Sequence, residues 1–510
     1  MIKIIDNLLN KVTMYRLVLY ALLFMIAGGL ILSYFGILPF TPVMFFSEVV
    51  FVTAICFISN KIFASFLGVP TNVESAFITA FILVLIVTPA KDFVSLPYWG
   101  FLFWVSVWAM ASKYIFALDN KHVFNPVALS VALTSITMGQ SASWWVGTLA
   151  MAPFVIIGGM LITRKVRRFD MVLTFFAIAL ITIVATQAFD FASGFNILVR
   201  SIFYSPLLFF AFVMLTEPLT TPPTRILRML YGSICGFLSA PIMHIGSLYS
   251  TPELSLLVGN VFSYIVSPKQ KFVLVLKQKI KVAQNTYDFV FSPDHPFYFR
   301  PGQYLEWTLG HKWPDSRGNR RYFTIASSPT EREIRIGIKF YANGSSFKNK
   351  LLNMKEGQDT IIASQLAGEF VLPKDVNKKL VFMAGGIGVT PFRSMVKYMI
   401  DKKQERDVVM FYSNRTSADV AYENILDQSA VELGFKIVYT VTDPVPPGEI
   451  WHGKTGFVDA KMVKQEVPDF LERHFYLSGT HGMCETFENM LLGMGVKSSH
   501  IHKDFFPGFA

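Results

Sequence analysis

Three closely spaced glycines, Gly385, Gly386 and Gly388, mark the stretch of the chain best suited to hold a phosphate group. They follow the apolar run 380–384, which predicts a short buried strand, and Thr390 and Pro391 then begin an amphipathic helix. Glycines allow a close backbone approach, and the free N–H groups and dipole of a helix N-terminus favour an anion. The spacing therefore predicts a phosphate-binding corner, with an ordinary tight strand-to-helix turn as the alternative.

The elements around this corner belong to a chain with two contrasting halves. Hydrophobic residues make up 52% of its 510 residues, and charged residues only 16%. Residues 1–266 form a series of apolar runs, whereas charged residues from 267 onward have the density of a soluble protein. The composition therefore predicts a membrane half followed by a soluble half.

The net charge of +11 does not indicate a nucleic-acid partner. Basic residues flank the apolar runs and are spread over the soluble half, with no single patch that also contains aromatic residues. The three cysteines, Cys56, Cys235 and Cys484, lie far apart and have no disulfide, zinc or iron–sulfur spacing. We predict neither a metal site nor nucleic-acid binding.

The membrane half is predicted to cross the bilayer about ten times, since each crossing needs about 20 apolar residues. The predicted spans are 14–36, 43–67, 74–90, 97–118, 123–138, 143–163, 170–190, 197–217, 225–246 and 252–266. With a cytoplasmic amino terminus, most basic loops face the cytoplasm, including the cluster 164–168. The soluble half would then also be cytoplasmic, on a multi-pass protein of the cell membrane in contact with lipid.

Two similar segments indicate an internal inverted repeat. Thr88-Pro89 ends the third predicted span, and Thr216-Glu217-Pro218 ends the eighth, on opposite sides of the membrane. Transporter folds often contain such repeats.

Three motifs of the membrane half, at 112–116, 122–126 and 216–224, occur in an order that resembles the Rnf complex D subunit and the B subunit of the sodium-translocating NADH:quinone oxidoreductase. The resemblance implies ten helices and a flavin-carrying membrane subunit. That family attaches FMN to a threonine in a Ser-Gly-Ala-Thr loop, and here the region is only Gly139-Gln140-Ser141-Ala142-Ser143. We therefore expect no covalent FMN; a non-covalent FMN or a quinone between the helices stays open.

The soluble half changes pattern near residue 373. Short strands with Gly and Pro turns predict an antiparallel β-barrel over 267–373. Alternating strands and helices then predict an α/β domain with a parallel sheet over 374–510. This order, with the motifs below, resembles the ferredoxin–NADP reductase superfamily and implies an FAD-binding barrel and an NAD(P)-binding domain.

The resemblance assigns roles to two segments of the barrel. Arg321 would hold the FAD pyrophosphate, Phe323 would stack on a ring, and Thr324 would contact the flavin near N5. A second pyrophosphate turn matches Gly344, Ser345 and Ser346.

In the α/β domain, the pyridine-nucleotide turn of the family matches the residues of the glycine corner: Gly385, Gly386, Gly388, Thr390 and Pro391. The later Cys-Gly of the family is Ser478-Gly479 here, and the serine takes the position of the family's cysteine. The resemblance therefore makes Ser478 a candidate catalytic residue, together with Thr324 of the flavin motif and Thr390 of the nucleotide turn. Arg415 is a candidate nucleotide contact, with a solvated loop arginine as the alternative. An aromatic residue of the tail, Phe506 or Phe509, would lie near the flavin or only fill an apolar gap.

These features predict an FAD-dependent enzyme that oxidises NADH or NADPH on the cytoplasmic side. Electrons would pass through the membrane half to a quinone or to a redox protein on the outer face. The alternative is an ion-translocating subunit or transporter powered by the reductase half. A haem-based electron path is not expected, because the membrane half contains only His122 and His244.

Overall fold

The computed structural model describes the chain apart from residues 1–8, 10–11, 68–72, 91, 119–120, 188–190, 241–243, 246–247, 268–271, 295–296, 312–314, 316–317, 343 and 505–510. It divides into two compact units, Met1–Lys269 and Gln270–Ala510. The first unit is helical, and the second contains two large sheets.

The helices of the first unit are α1 (Met14–Tyr34), α2 (Pro42–Phe66), α3 (Val73–Ile86), α4 (Leu96–Ile115), α5 (Pro126–Met138), α6 (Ala152–Val166), α7 (Phe169–Gln187), α8 (Phe191–Phe203), α9 (Leu207–Phe209), α10 (Arg225–Leu238) and α11 (Pro252–Val266). Among the described residues, α1, α2 and α7 are each long and apolar enough to cross a membrane. The bent pair at 194–214 is a fourth candidate if it counts as one span. Ten crossings stay a prediction.

One predicted span, 197–217, is broken rather than straight. Its two parts, Gly194–Phe203 and Leu207–Met214, meet at an angle of 61°, and Phe210–Met214 is a π-helix. Pro206 lies in the break and has no N–H to continue the helical hydrogen bonds. Hydropathy alone does not detect such a break, because an average over residues 197–217 stays apolar across it.

The packing of the first unit is similar in its two halves. Helix α2 packs on α3 and α4, and α7 packs on α8 and α10. Short hairpins occur at matching positions, with β1 (Ala117–Leu118) and β2 (Lys121–His122) before α5, and β3 (His244–Ile245) and β4 (Leu248–Tyr249) before α11. The inverted repeat itself stays a prediction.

The first sheet of the second unit contains β5 (Phe272–Ala283), β6 (Thr286–Ser292), β7 (Tyr304–Thr308), β8 (Arg320–Thr324), β9 (Ile334–Lys339) and β10 (Thr360–Ala367). It is antiparallel, in the order β8-β7-β10-β5-β6-β9. In the first half of β5, the alternate residues Phe272, Leu274 and Leu276 are buried, as expected for a strand with one face on a core. Helix α12 (Ser346–Leu352) packs its Phe347 and Leu351 into that core.

The second sheet contains β11 (Leu380–Gly385), β12 (Val408–Asn414), β13 (Lys436–Val441), β14 (Lys454–Thr455), β15 (His474–Ser478) and β16 (Ile501–Asp504). It is parallel, in the order β14-β13-β12-β11-β15-β16. Helices α13 (Thr390–Asp401), α14 (Glu423–Leu433), α15 (Ala460–Glu466) and α16 (His481–Gly493) connect these strands. The chain runs outward from β11 to β14 and then returns to the other side of β11. The strand order therefore reverses between β11 and β15.

Candidate functional site

The glycine corner lies at the carboxyl end of β11, next to the end of β15. A Cβ added to Gly388 would lie 2.6 Å from the Ser478 carbonyl oxygen and 2.7 Å from the Gly479 nitrogen. Gly386 has φ of +52°, which disfavours other residues. The backbone of the glycine turn at 385–391 therefore contacts the backbone of residues 478–479, the other motif of the predicted nucleotide site. This contact requires glycine at 388.

Met483, at the start of α16, covers the same corner. A Cβ on Gly385 would lie 1.9 Å from the Met483 sulfur, and one on Gly479 would lie 3.0 Å from it. The glycines thus provide space for this thioether beside the predicted nicotinamide site. Sequence reasoning missed Met483, because a methionine in an amphipathic helix carries no distinguishing signal.

Thr390 and Ser478, two of the candidate catalytic residues, are largely buried in this region. The Thr390 hydroxyl donates to the Ile387 carbonyl over 3.2 Å, which caps the short helix between β11 and α13. Pro391 follows at the first turn of α13, where its missing N–H costs nothing.

The third candidate, Thr324, ends β8 and reaches the parallel sheet. Its hydroxyl donates to Asp504 Oδ2 over 3.5 Å. Asp504 ends β16 and is the register partner of Ser478 in β15. The fold thus brings Thr324 of the antiparallel sheet to the strand ends that form the nucleotide corner.

Arg321 and Phe323 both contact α12, the helix that follows the predicted pyrophosphate turn. The Arg321 guanidinium lies 5.1 Å from the centre of the Phe347 ring. The centres of the Phe323 and Phe347 rings are 6.0 Å apart. Arg321 is 8% exposed, and its Nη1 donates to the carbonyls of Gly318 and Arg320 over 3.3 and 2.6 Å. The two residues predicted to hold the flavin are therefore close to Gly344, Ser345 and Ser346.

The serine turn itself contacts an acidic side chain. The Ser346 N–H donates to Asp315 Oδ2 over 2.9 Å, and the Ser346 hydroxyl accepts the Asp315 N–H over 2.9 Å. His311 Nε2 lies 2.9 Å from the same hydroxyl, and Ser345 caps α12 by accepting from the Lys348 N–H. A carboxylate thus accepts the N–H that the resemblance assigns to a phosphate, so Asp315 must move if a pyrophosphate binds there.

The remaining candidates are Arg415 and the aromatic residues of the tail. Arg415 follows β12 and is strongly exposed, with Nη2 3.3 Å from Asp443 Oδ2. Its role in nucleotide binding stays a prediction. Phe506 and Phe509 lie outside the described residues.

Two family models match the chain. Residues 382–489 match the oxidoreductase NAD-binding domain. Residues 146–270 match the NQR2, RnfD, RnfE family. Both matches confirm the resemblances noted from the sequence motifs.

Similar proteins match the second unit. The glycine betaine monooxygenase reductase subunit of Pseudomonas aeruginosa is 30% identical over 235 residues, which cover 44% of this chain and 63% of that protein. A flavohemoprotein of Bacillus cereus is 28% identical over 250 residues, 46% of this chain and 60% of that protein. The chain thus spans less than two thirds of the length of either relative.

Solved structures cover a similar share of the chain. The cytochrome P450 reductase of Amycolatopsis has a TM-score of 0.42 and 21% identity, with 46% of this chain and 70% of that chain covered. The cytochrome b5 reductase domain of Ulva prolifera nitrate reductase has a TM-score of 0.41 and 22% identity, with 47% and 98% covered.

The glycine corner, its contact with Ser478-Gly479 and the sequence matches lead to the same assignment. A segment that matches the NQR2, RnfD, RnfE family, residues 146–270, thus precedes a segment that matches the oxidoreductase NAD-binding domain, residues 382–489, in a half of the chain that is similar to reductases.

Proposed function

We propose that the chain is a membrane-bound, FAD-dependent NAD(P)H:acceptor oxidoreductase. The nucleotide is oxidised on the cytoplasmic side, and electrons pass through the membrane half to a quinone or to a redox protein on the outer face. The observation that carries this proposal is the backbone contact of Gly388 with Ser478-Gly479, made where the strand order reverses.

The parallel sheet fits a pyridine nucleotide. In open α/β sheets, ligands bind outside the carboxyl ends of the strands at the point where strand order reverses. Here that point lies between β11 and β15, and both strands end in glycine-containing turns. The N-terminus of α13 supplies a positive dipole end for the phosphates.

The antiparallel sheet fits FAD. The Arg321 guanidinium supplies a fixed positive charge for the pyrophosphate, and the Phe323 ring supplies an aromatic surface. When bound, FAD accepts hydride from NAD(P)H and releases electrons singly. Thr324 orients the reacting region through its hydroxyl, and the glycine corner brings backbone N–H groups close to the nucleotide.

The membrane half receives these electrons in our proposal. Its match to the NQR2, RnfD, RnfE family supports a redox role, and a non-covalent FMN or a quinone between its helices is the proposed carrier. The shortened loop 139–143 supports the expectation that no FMN is covalently attached.

Ion translocation is the second candidate function, and buried carboxyl groups in the first unit favour it. Glu48 of α2 and Glu253 of α11 are 0% and 4% exposed. The Trp144 indole N–H donates to Glu253 over 2.7 Å, and Asn125 Nδ2 donates to Glu217 over 2.7 Å. Ionisable residues at membrane depth are expensive and often mark ion pathways.

FAD binding is tested by flavin analysis of the detergent-purified full-length chain. We expect FAD that acid precipitation releases completely, and oxidation of NADH or NADPH with an artificial acceptor. Arg321→Ala should raise the Kd for FAD about ten- to a hundredfold, because a charge-assisted phosphate contact is worth about 1.5–3 kcal/mol. The exposed Arg332 of the same sheet region provides the matched control, Arg332→Ala. An unchanged FAD affinity in Arg321→Ala, or flavin fluorescence that persists in a denaturing gel, would contradict these expectations.

Nucleotide binding at the glycine corner is tested by Gly388→Ala. The added methyl group would clash with the Ser478 carbonyl, so we expect the Kd for NAD(P)+ to rise about tenfold, as for overpacking worth about 1–3 kcal/mol. FAD content should not change. Gly482→Ala adds the same group where nothing lies within 4 Å. Equal affinities in the two variants would place the nucleotide elsewhere.

The cytoplasmic orientation is tested with sealed membrane vesicles. Basic loops favour the cytoplasmic side. Inverted vesicles should therefore oxidise added NADH or NADPH, while right-side-out vesicles should do so only after permeabilisation. Similar activity in both sealed preparations would show that the orientation is wrong.

The two candidate functions differ in ion movement. Proteoliposomes containing the chain and quinone should oxidise external nucleotide without building a proton or sodium gradient if electron transfer is the whole function. A gradient that is lost in Glu48→Gln while oxidation continues would establish the second function instead.

A further inference from the structure

We propose that a buried polar cluster between the two sheets of the second unit positions the flavin site against the nucleotide corner. The cluster, called the interlobe latch here, consists of Asp288 and Glu331 on the antiparallel-sheet side and Arg393 and Tyr422 on the parallel-sheet side. The inference rests on the proposed function, because it concerns the distance across which hydride passes. The four side chains act through neighbouring residues and are therefore positioning residues.

The first contact of the latch begins in the helix of the glycine corner. Arg393 lies in α13, one turn after Thr390, and its Nη1 donates to the Ala326 carbonyl over 2.9 Å. Its Nη2 donates to Glu331 Oε1 over 2.9 Å, and Nη1 contacts the other carboxylate oxygen. The Arg393 side chain is only 4% exposed. A paired guanidinium thus binds the loop that directly follows Thr324.

The same loop is held at two further points. The Ser394 hydroxyl donates to the Ser327 carbonyl over 2.6 Å, and both residues are fully buried. Glu331 also accepts the Ser328 N–H over 2.7 Å. Consecutive residues of α13 therefore bind consecutive carbonyls of the loop, which fixes both the position and the direction of the loop relative to the helix.

The second contact of the latch connects Tyr422 to β6. The Tyr422 hydroxyl donates to Asp288 Oδ1 over 3.0 Å, and Asp288 Oδ2 accepts from Arg335 Nη1 over 3.2 Å. Burial raises the pKa of the Tyr422 phenol well above its ordinary value, so the hydroxyl keeps its proton and remains a donor. Tyr422 has φ of +60°, a conformation uncommon for a bulky residue. The surrounding contacts must stabilise this backbone.

Gly337 provides the space for this hydrogen bond. It lies in β9 directly opposite Asp288 in β6. A Cβ at 337 would lie 2.3 Å from the Tyr422 hydroxyl oxygen, 2.9 Å from Thr390 Cγ2 and 3.2 Å from Ile387 Cδ1. A strand of the antiparallel sheet therefore contacts both the latch and the glycine corner.

These contacts constrain geometry more than they add stability. A buried ion pair adds little to the free energy of unfolding, because the cost of desolvation offsets the attraction between the charges. It does fix geometry, because the two charged groups are satisfied in only one relative position. Hydride transfer needs reacting atoms about 3–3.5 Å apart, and a displacement of about 1 Å can lower the rate a hundredfold. A latch between the residues that follow Thr324 and those that follow Thr390 controls this separation.

The test uses the full-length chain loaded with FAD and the substitution Tyr422→Phe, which removes one hydroxyl and keeps the ring. The matched control is Tyr439→Phe. The Tyr439 hydroxyl donates to Asp427 over 2.7 Å, and both residues belong to the parallel-sheet side. Both variants lose a phenol–carboxylate hydrogen bond, but only Tyr422→Phe breaks a contact between the sheets.

We expect both variants to retain FAD and to bind NAD(P)+ with a Kd within about twofold of the unmodified chain. The rate of flavin reduction at saturating NAD(P)H should fall about ten- to a hundredfold in Tyr422→Phe only. Amide hydrogen exchange, measured without nucleotide, should increase at residues 326–331 in that variant only. Ser394→Ala, a smaller change in the same interface, should shift both measurements in the same direction.

Equal reduction rates and equal exchange in Tyr422→Phe and Tyr439→Phe would overturn the latch while leaving the proposed function intact. A loss of FAD from Tyr422→Phe with an unchanged rate in Ser394→Ala would also overturn it, since the cluster would then only support the flavin site. If neither nucleotide reduces the flavin of the unmodified chain, the proposed function fails, and the positioning role fails with it.

Discussion

The buried guanidinium of Arg393 is the constraint on which the second unit depends. Moving a charged group out of water costs several kcal/mol unless its hydrogen bonds are replaced. Here Glu331 and the Ala326 carbonyl accept hydrogen bonds from the two terminal nitrogens, Nη1 and Nη2, and both acceptors belong to the antiparallel-sheet side. Because Arg393 lies in the helix that begins at the glycine corner, satisfying its charge also fixes the corner against the strand that carries Arg321 and Thr324.

The glycine corner and the latch have different roles in placing the proposed nucleotide site beside the proposed flavin site. At the corner, Gly388 lets two backbone segments approach until no side chain fits between them. At the latch, Arg393 and Asp288 are buried, and each is hydrogen-bonded to a side chain of the other sheet. The first arrangement shapes the proposed nucleotide site, and the second fixes where the glycine corner lies relative to Thr324.

The sequence predicted the features that depend on local pattern. The strand at 380–384, the glycine turn and the helix after Thr390 all occur where the apolar run and the glycines predicted them. The latch was not predicted, because Tyr422 and Asp288 are 134 residues apart and neither belongs to a recognisable motif. Arg393 did carry one signal, since it lies between Phe392 and Met395 on a buried helix face, where a charge requires a partner. Asp315 was missed for a similar reason, since nothing local indicates its contact with Ser346.

The membrane half shows the limits of hydropathy. The break at Pro206 interrupts the predicted span 197–217, which composition alone presents as continuous. Buried glutamates such as Glu48 and Glu253 are visible in the sequence, but only the packing of the helices shows that they face the interior of the unit.

The proposed reaction is the direct transfer of hydride from a nicotinamide at the glycine corner to a flavin held beside Thr324. It is tested most directly by mixing the purified full-length chain, without oxygen, with NADH or NADPH carrying deuterium on one face of the nicotinamide C4. A fixed geometry predicts that the flavin is reduced and that only one of the two labelled forms loses its deuterium. Equal loss from both faces, or a flavin that stays oxidised, would contradict the account.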